Sequence, residues 1–146
     1  MPSPVKNYDP AEVTMIIGGH IISGYADGTF LSIARNNDAF TRVAGADGEG
    51  TRAKSNDRSG TFTFTLMQSS QSNDILSGFA SADDINNGGT FPVLIKDGNG
   101  TSRYAGEICW VQKVADSAFG KEAESREWIV ETNELVPFVG GIPAVS

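Results

Sequence analysis

The chain has 146 residues, a formal net charge of −7 at pH 7 and a pI of about 4.5, with 39% hydrophobic and 20% charged residues. This length and composition predict one folded domain over residues 1–146 that needs no disulfide or metal for stability. The acidic balance argues against a protein that grips nucleic acid, because phosphate binding requires clustered Lys and Arg.

Targeting signals are not evident in the sequence. No apolar run approaches the length of a membrane span, and the first stretch, MPSPVKNYDPAEV, has no apolar signal core. The single Cys109 has no partner for an internal disulfide, so an oxidised secreted scaffold has no support. These features together favour synthesis and folding in a cytoplasm.

The first third of the chain predicts an arm followed by two strands. Residues 1–12 contain three prolines, which disfavour regular pairing, and little apolar surface to bury. Two apolar runs then predict strands at about 13–23 and 29–35. Between them, Asp27 and Gly28 are typical of a tight hairpin turn, because Gly tolerates a positive φ.

Residues 36–60 form a long polar segment whose only bulky apolar residues are Phe40 and Val43. The segment carries four acids and four bases, so it is neutral overall. A compact domain rarely keeps so long a loop without a use for it. Two interpretations stay open. The segment is either a flexible surface loop, or an extended hairpin that becomes ordered against a partner through polar contacts.

A strand and the one helix of the chain are predicted next. Residues 61–67 alternate between threonine and apolar side chains, which indicates a half-buried antiparallel strand with Phe62, Phe64 and Leu66 on its inner face. The following SNDILSGF predicts a helix of about ten residues, capped by Ser72 or Asn73. A helix this short must pack on the sheet to be stable. Its expected apolar stripe comprises Ile75, Leu76, Phe79 and Ala82.

The remainder of the chain is patterned as strands. DGNG at 97–100 predicts a hairpin turn, and Pro92 predicts an edge strand or the start of one. In the strand expected at 106–114, one face is formed by Ile108, Trp110, Gln112 and Val114. In the last strand, one side is formed by Trp128, Val130 and Thr132. Residues 137–146, rich in Gly and Pro, are expected to be a second arm.

The sequence contains no recognisable catalytic or metal-binding framework. No C-x-x-C, H-E-x-x-H, G-x-S-x-G or nucleotide-binding glycine pattern occurs. The one histidine, His20, is expected to be a packed or surface residue, and Cys109 an inert core or interface residue. Asp83-Asp84, DGEG and DGNG lack the regular oxygen spacing of a calcium loop. We therefore expect no enzyme, no cofactor and no metal.

The pattern favours assembly over chemistry. About six to eight strands, two arms and one long polar loop give a sheet whose open edges can pair with another chain. Two alternatives remain. One is a monomeric β-sandwich with irregular terminal segments. The other is a sandwich that binds a sugar or a protein through Tyr25, Tyr104 and Trp110.

The succession of motifs resembles the tail tube proteins of contractile-tailed bacteriophages. It comprises SNDILS after an alternating strand, FPVLIKDGNGTSRYAGEICWVQKV, FGKEAESREWIVET and FVGG, and it covers about residues 8–141. Each motif is only turn or strand chemistry, so the order and spacing carry the resemblance. The family implies a mainly β fold: an antiparallel β-sandwich or small barrel with one flanking α-helix, related to type VI secretion tube proteins, and a long protruding loop.

The resemblance also implies a function without catalysis. Six copies would form a ring, and stacked rings would form the inner tube of a tail through which genomic DNA passes without specific binding. The implied partners are sheath, baseplate and terminator proteins, and the implied location is the virion, after assembly in the bacterial cytoplasm. A tube protein of type VI secretion, or of a particle without a genome, is the alternative. By position and charge, the loop contacts with neighbouring subunits are assigned to Asp38, Asp47, Glu49, Arg52, Lys54 and Arg58.

Overall fold

A computed structural model describes residues 5–142 as ten strands, one α-helix and a short 3₁₀ turn at Pro10–Glu12. The elements in chain order are β1 (Val13–Ile17), β2 (His20–Ile21), β3 (Leu31–Arg35), β4 (Phe40–Ala44), β5 (Gly50–Lys54), β6 (Gly60–Met67), α1 (Ser72–Asn86), β7 (Phe91–Asp97), β8 (Arg103–Lys113), β9 (Ser125–Thr132) and β10 (Leu135–Phe138). The helix and the strands are those of a mainly β protein.

Eight strands form one antiparallel sheet, and β4 and β5 form a separate hairpin. The sheet order is β2-β1-β7-β8-β9-β6-β3, and β10 continues the line of β9 along the first half of β8. The sheet curls until β1 and β3 face each other across a cavity of about 390 Å³. Within residues 5–142 it does not close into a barrel. The predicted fold class is thus confirmed, with an open edge where a barrel would have its seam.

The core lies on the concave face of the curled sheet. Phe62, Phe64 and Leu66 of β6 are all buried, as their alternation predicted. Trp128 and Val130 of β9, predicted to share one side of the last strand, are buried beside them. The other main core residues from strands are Met15, Ile17, Phe91, Val93, Ile95, Cys109 and Leu135. Six of the eight strands of the sheet therefore supply buried side chains to a single core, and Leu31 and Ile33 of β3 pack against it.

The helix packs against this core, but it is longer than expected and is capped differently. It has 15 residues, and its N-cap is Gln71, whose side chain makes no capping hydrogen bond. Asn73, a predicted cap, instead donates to the carbonyls of Met67 and Ser70 and accepts a 2.9 Å hydrogen bond from the indole of Trp128. Its amide group thus ties the helix to the strands on either side of it.

The buried row of the helix lies one position away from the predicted stripe. It consists of Ser72, Leu76 and Ala80. Phe79 is half-buried, with its ring 4.6 Å from that of Phe91. Ile75 is only half-buried. The helix therefore meets the sheet through Leu76 and Phe79 more than through Ile75.

Two turns near the N-terminus differ from expectation. The strand predicted at 13–23 breaks at Gly18 and Gly19, whose φ angles of 56° and 86° turn the chain into β2. A Cβ at Gly18 would lie 2.7 Å from the Phe79 ring, so only glycine fits there. The hairpin predicted at Asp27-Gly28 is wrong, because β3 pairs with β6 and not with β2.

The C-terminal half keeps the predicted turn and has a register irregularity in β8. The DGNG turn joins β7 to β8 as predicted. Cys109 of β8 is buried, whereas Ile108, predicted to share one face with Trp110, is 60% exposed. Val114, predicted on that same face, lies one residue beyond β8 and is 52% exposed. The pairing of β7 with β8 shifts register between Phe91 and Val93.

The expected arms are tied to the β7–β8 turn where the structure describes them. Asn99 exchanges two hydrogen bonds with the backbone of Asp9, at 2.8 and 2.9 Å. Strand β10 extends to Phe138, two residues into the expected C-terminal arm, and Ser102 then hydrogen-bonds to Gly140. Residues 1–4 and 143–146 lie outside the described residues.

Removing the buried helix contact should destabilise the fold. Leu76 is fully buried, so Leu76→Ala is expected to lower the free energy of unfolding by about 2–5 kcal/mol through lost burial and a residual cavity. Ile85 on the same helix is 82% exposed, and Ile85→Ala should change stability by no more than about 0.5 kcal/mol. Urea denaturation followed by circular dichroism measures both. Equal effects of the two substitutions would contradict the packing described for α1.

Candidate assembly surfaces

The residues with reactive side chains are not brought together. His20 is exposed on β2, and Cys109 is buried in β8. Burial raises the pKa of the Cys109 thiol, which disfavours the reactive thiolate. Among residues 5–142, no three His, Cys, Asp or Glu side chains are grouped so that they could hold a metal ion. In the same range, no helix has the length and apolar character to cross a membrane.

The three aromatic residues considered for ligand binding do not share a site. Tyr25 and Tyr104 both pack against the core on the concave side of the sheet. Trp110 lies on the convex side, directly across from Glu131 on β9. The Tyr25 ring is 4.8 Å from that of Phe30, and its hydroxyl is buried without a hydrogen-bond partner in the part of the chain that the structure describes. An aromatic sugar-binding platform is therefore not assembled from these residues.

The predicted long loop is a β-hairpin that stands away from the sheet. Within residues 5–142, strands β4 and β5 pair with each other and with no other strand, and all ten of their residues are exposed. At the base, the amide of Asn36 donates to the carbonyl of Ser59 at 3.0 Å, and Ser55 donates to Ala39 at 2.9 Å. These bonds bring the two ends of the segment together, so the hairpin is a regular appendage on a closed base.

The hairpin separates its charges between a face and a tip. Directly opposed residues of an antiparallel pair share a face. Arg42 lies opposite Arg52, and Phe40 lies opposite Lys54. These four residues define the basic face. The other face carries Thr41, Val43, Thr51 and Ala53. A segment that is neutral in sequence thus presents a cationic surface.

The cations of the basic face have no acidic partner among the described residues 5–142. Among residues 5–142 the one ion pair within 4.0 Å is Lys113–Asp116, which is far from the hairpin in sequence. The guanidinium of Arg52 lies over the Phe40 ring, 4.3 Å from its centroid. This contact orders Arg52 without neutralising it. Two arginines placed opposite each other repel, so the basic face favours an acidic partner.

The acids of the hairpin lie at its tip and at its base. At the tip, Asp47 accepts a hydrogen bond from the amide of Glu49 at 3.2 Å, and Gly48 has a φ of 88°. At the base, Asp57 accepts from the amide of Ser59 at 3.0 Å, and this bond lowers the pKa of the exposed carboxyl. The carboxylates of Asp47 and Asp57 therefore stabilise the turns at the tip and at the base of the hairpin.

The six charged residues assigned to contacts from the sequence fall into three zones. The basic face holds Arg52 and Lys54, the tip holds Asp47 and Glu49, and the base holds Asp38 and Arg58. Sequence reasoning left out Arg42 and Phe40 of the basic face. Only the register of β4 on β5 brings these two beside Arg52, and loop composition does not reveal that register.

The convex face of the sheet carries an apolar row across five strands. Consecutive members are directly opposed in the strand register, and the outer row runs Ile21, Ile16, Leu94, Ala105, Val136. Ile21 is 67% exposed and Val136 is 58% exposed. The solvent face of an antiparallel sheet is normally polar, so a contiguous apolar row there marks an interaction surface.

A shallow groove of about 520 Å³ lies at the β10 end of the outer row. We call it the outer groove, and its convex-face lining comprises Pro92, Arg103, Ala105, Glu107, Glu134 and Val136. Glu107 and Glu134 are both exposed, and neither makes an ion pair with the described residues 5–142. The groove combines an apolar floor with a net acidic rim.

Comparison with known proteins finds similarity in sequence to a phage structural protein. No protein-family model matches the chain. In sequence, the chain is 28% identical over 154 residues to Structural protein ORF10 of Pseudomonas phage KPP10, covering 100% of this chain and 89% of that protein.

Solved structures share the fold at low identity. A chain of the sheath/tube terminator of PVC, an extracellular contractile injection system, matches with a TM-score of 0.64 and 10% identity over 92% of this chain and 99% of that one. The tube-terminating cap of the anti-feeding prophage matches with a TM-score of 0.61 and 7% identity over 94% and 95%. A chain of the PVC sheath–tube complex matches with a TM-score of 0.55 and 10% identity over 95% and 93%.

The fold is accordingly one used by components of contractile injection systems, and the relative in sequence is a phage structural protein. The resemblance to the tail tube proteins of contractile-tailed bacteriophages is confirmed by these two kinds of similarity.

The buried hydroxyl of Tyr25 predicts a pH dependence. Burial raises the pKa of Tyr25 from 10.0 to about 12, so its contribution to stability is complete below pH 10 and is lost as the pH rises to about 12. Tyr25→Phe should remove this loss. At neutral pH the variant should be as stable as the parent or slightly more so, because the hydroxyl has no hydrogen bond to lose. Urea denaturation at several pH values measures the difference, and parallel pH profiles would contradict it.

Proposed function

We propose that this chain is a structural virion protein of a contractile phage tail, and that its copies form stacked hexameric rings that make the inner tube. The observation that carries the proposal is that a single copy leaves its most interaction-prone surfaces uncovered: the outer row and the basic face. The similarity to a phage structural protein over the whole chain supports it. A protein that acts alone has little reason to keep an apolar row and unpaired arginines exposed.

The area available in one copy is compatible with a tube. A subunit in a stack of rings has two neighbours within its ring and others above and below. Four patches of about 800 Å² each, the share of one partner in a standard interface, would cover roughly a third of the 9685 Å² exposed by one copy. Head-to-tail contacts of this kind close into a ring when the rotation between subunits permits it.

The charge distribution suits a conduit for DNA. Each copy carries a net charge of −7, although its hairpin displays a cationic face. If neighbouring subunits cover that face, the surface left to line the bore is more acidic. Carboxylates repel phosphates over a Debye length of about 8 Å at physiological salt, so genomic DNA would pass without specific binding. Sheath, baseplate and terminator proteins are the corresponding partners.

A terminating ring at the end of the tube is the second candidate. The TM-scores of 0.64 and 0.61 belong to a sheath/tube terminator and a tube-terminating cap, against 0.55 for a sheath–tube complex. A terminator would use the same fold and the same uncovered surfaces, but it would be present as one ring.

Electron microscopy separates these possibilities. The purified chain is expected to form six-fold rings and, at high concentration, tubes. In the virion, antibody labelling along the whole tail after sheath removal would identify the tube protein, and labelling at one end would identify the terminator. A protein that stays monomeric at every concentration and salt, and is absent from purified virions, would overturn both.

The hairpin should be needed for assembly and dispensable for folding. Residues 40–54 lie between Ala39 and Ser55, which are joined by a 2.9 Å hydrogen bond, so a short Gly-Ser linker can replace them. The variant should keep the circular dichroism of the core and lose less than about 1 kcal/mol of stability, because exposed residues contribute little. Its tubes should be shorter and less stable when measured by sedimentation and microscopy. Tubes of unchanged length would contradict the role of the hairpin.

A further inference from the structure

We propose that the outer groove of one copy receives the basic face of the hairpin of a second copy. This inference rests on the proposed function, since it names the surface to which the hairpin binds in the assembled tube. Arg42 and Arg52 of one subunit form ion pairs with two carboxylates of a neighbouring copy of the same chain. These carboxylates belong to Glu107 and Glu134.

Charge complementarity is the first argument. The basic face gathers Arg42, Arg52 and Lys54 on a protein whose net charge is −7, and no carboxylate within residues 5–142 lies within 4.0 Å of them. The outer groove displays two carboxylates and one cation, Arg103, and neither carboxylate makes an ion pair within residues 5–142. The groove is therefore net acidic, opposite in sign to the basic face. Opposed patches of this kind fix the register of an interface and exclude wrong partners.

Apolar contact is the second argument. The basic face includes Phe40, which is 44% exposed beneath the guanidinium of Arg52. The floor of the groove is formed by Ala105 and Val136 and bounded by Pro92. An aromatic ring with a stacked arginine fits an apolar floor with an acidic rim. The ring can pack on the floor while the guanidinium pairs with a carboxylate of the rim. Aromatic residues and Arg are the side chains enriched at interface centres.

In one copy the hairpin does not fill its own groove. The base is fixed by hydrogen bonds from Asn36 to Ser59 and from Leu135 to the carbonyl of Arg58. From this base the hairpin extends into solvent with every strand residue exposed, and the groove remains open. A two-stranded ribbon laid on the convex face of another copy would stack at about 10 Å, the usual spacing of packed sheets. The occupant is thus supplied by another subunit.

The test uses the full chain and measures the lowest concentration at which it assembles. Glu107→Lys with Glu134→Lys should raise this critical concentration by at least about tenfold, which corresponds to about 1.4 kcal/mol per contact. Asp84→Lys is the matched control, since Asp84 is exposed on α1 and away from the groove. It changes the charge in the same direction and should leave assembly within about twofold. Circular dichroism checks that all variants are folded.

Reversing the charges on both surfaces tests whether these particular residues pair with each other. Arg42→Glu with Arg52→Glu should impair assembly to a similar degree. Combining these with the two lysine substitutions should restore it to within about threefold of the parent, because the ion pairs are rebuilt with opposite polarity. Assembly of the parent should also weaken with salt, since exposed charge pairs are screened.

The outcomes distinguish the inference from the function on which it rests. If the parent chain forms no ring or tube, the proposed function fails. If it forms tubes and the groove variant assembles as readily as the Asp84→Lys control, the groove assignment is wrong while the function stands. If the groove variant forms normal tubes but no longer binds sheath protein, the groove serves another partner and the pairing proposed here is overturned. Failure of the four-residue charge swap to restore assembly would count equally against it.

Discussion

The structure depends on the packing of one curled antiparallel sheet around a single core. Phe62, Phe64 and Leu66 from β6 meet Trp128 and Val130 from β9 on the concave face, and β1, β7, β8 and β10 add further buried side chains. The helix covers part of this core, and the Trp128 indole donates to Asn73 to hold it there. Because the concave face supplies the buried apolar core, folding does not require apolar residues on the convex face.

This division explains why apolar residues on the convex face matter. The outer row from Ile21 to Val136 adds nothing to the core, and it exposes surface that water disfavours. Its cost to solubility is offset in part by the high net charge. Burial of the row by another protein would remove that cost. The same reasoning applies to the hairpin, whose arginines repel each other until an acidic surface covers them.

Assembly from such surfaces needs no reactive group. Each proposed contact is individually modest, since exposed ion pairs contribute about 1 kcal/mol or less. A ring or a stack repeats the contact in every subunit, so modest terms add over the polymer. A tube built in this way can be strong as a whole while its surfaces remain soluble in the single copy.

Local patterns predicted much of the fold. Period-two alternation identified β6 and the inner face of β9, and turn chemistry identified the β7–β8 hairpin. These features depend on neighbours in sequence. The register irregularity of β8 between the pairings of Phe91 and Val93 was not predicted, because periodicity does not reveal it. The cap of α1 was misplaced, because Asn73 is held by Trp128, which is remote in sequence.

The sequence by itself determined the class of the protein. The chain is acidic and mainly β, with one domain, no recognisable catalytic framework and a long polar insertion. Through the order and spacing of its motifs it also predicted that the insertion contacts neighbouring subunits. Tertiary structure alone decided which side chains stand together. The opposition of Arg42 and Arg52, the outer row and the acidic groove all arise from strand register and sheet order, which bring residues far apart in the chain to adjacent positions.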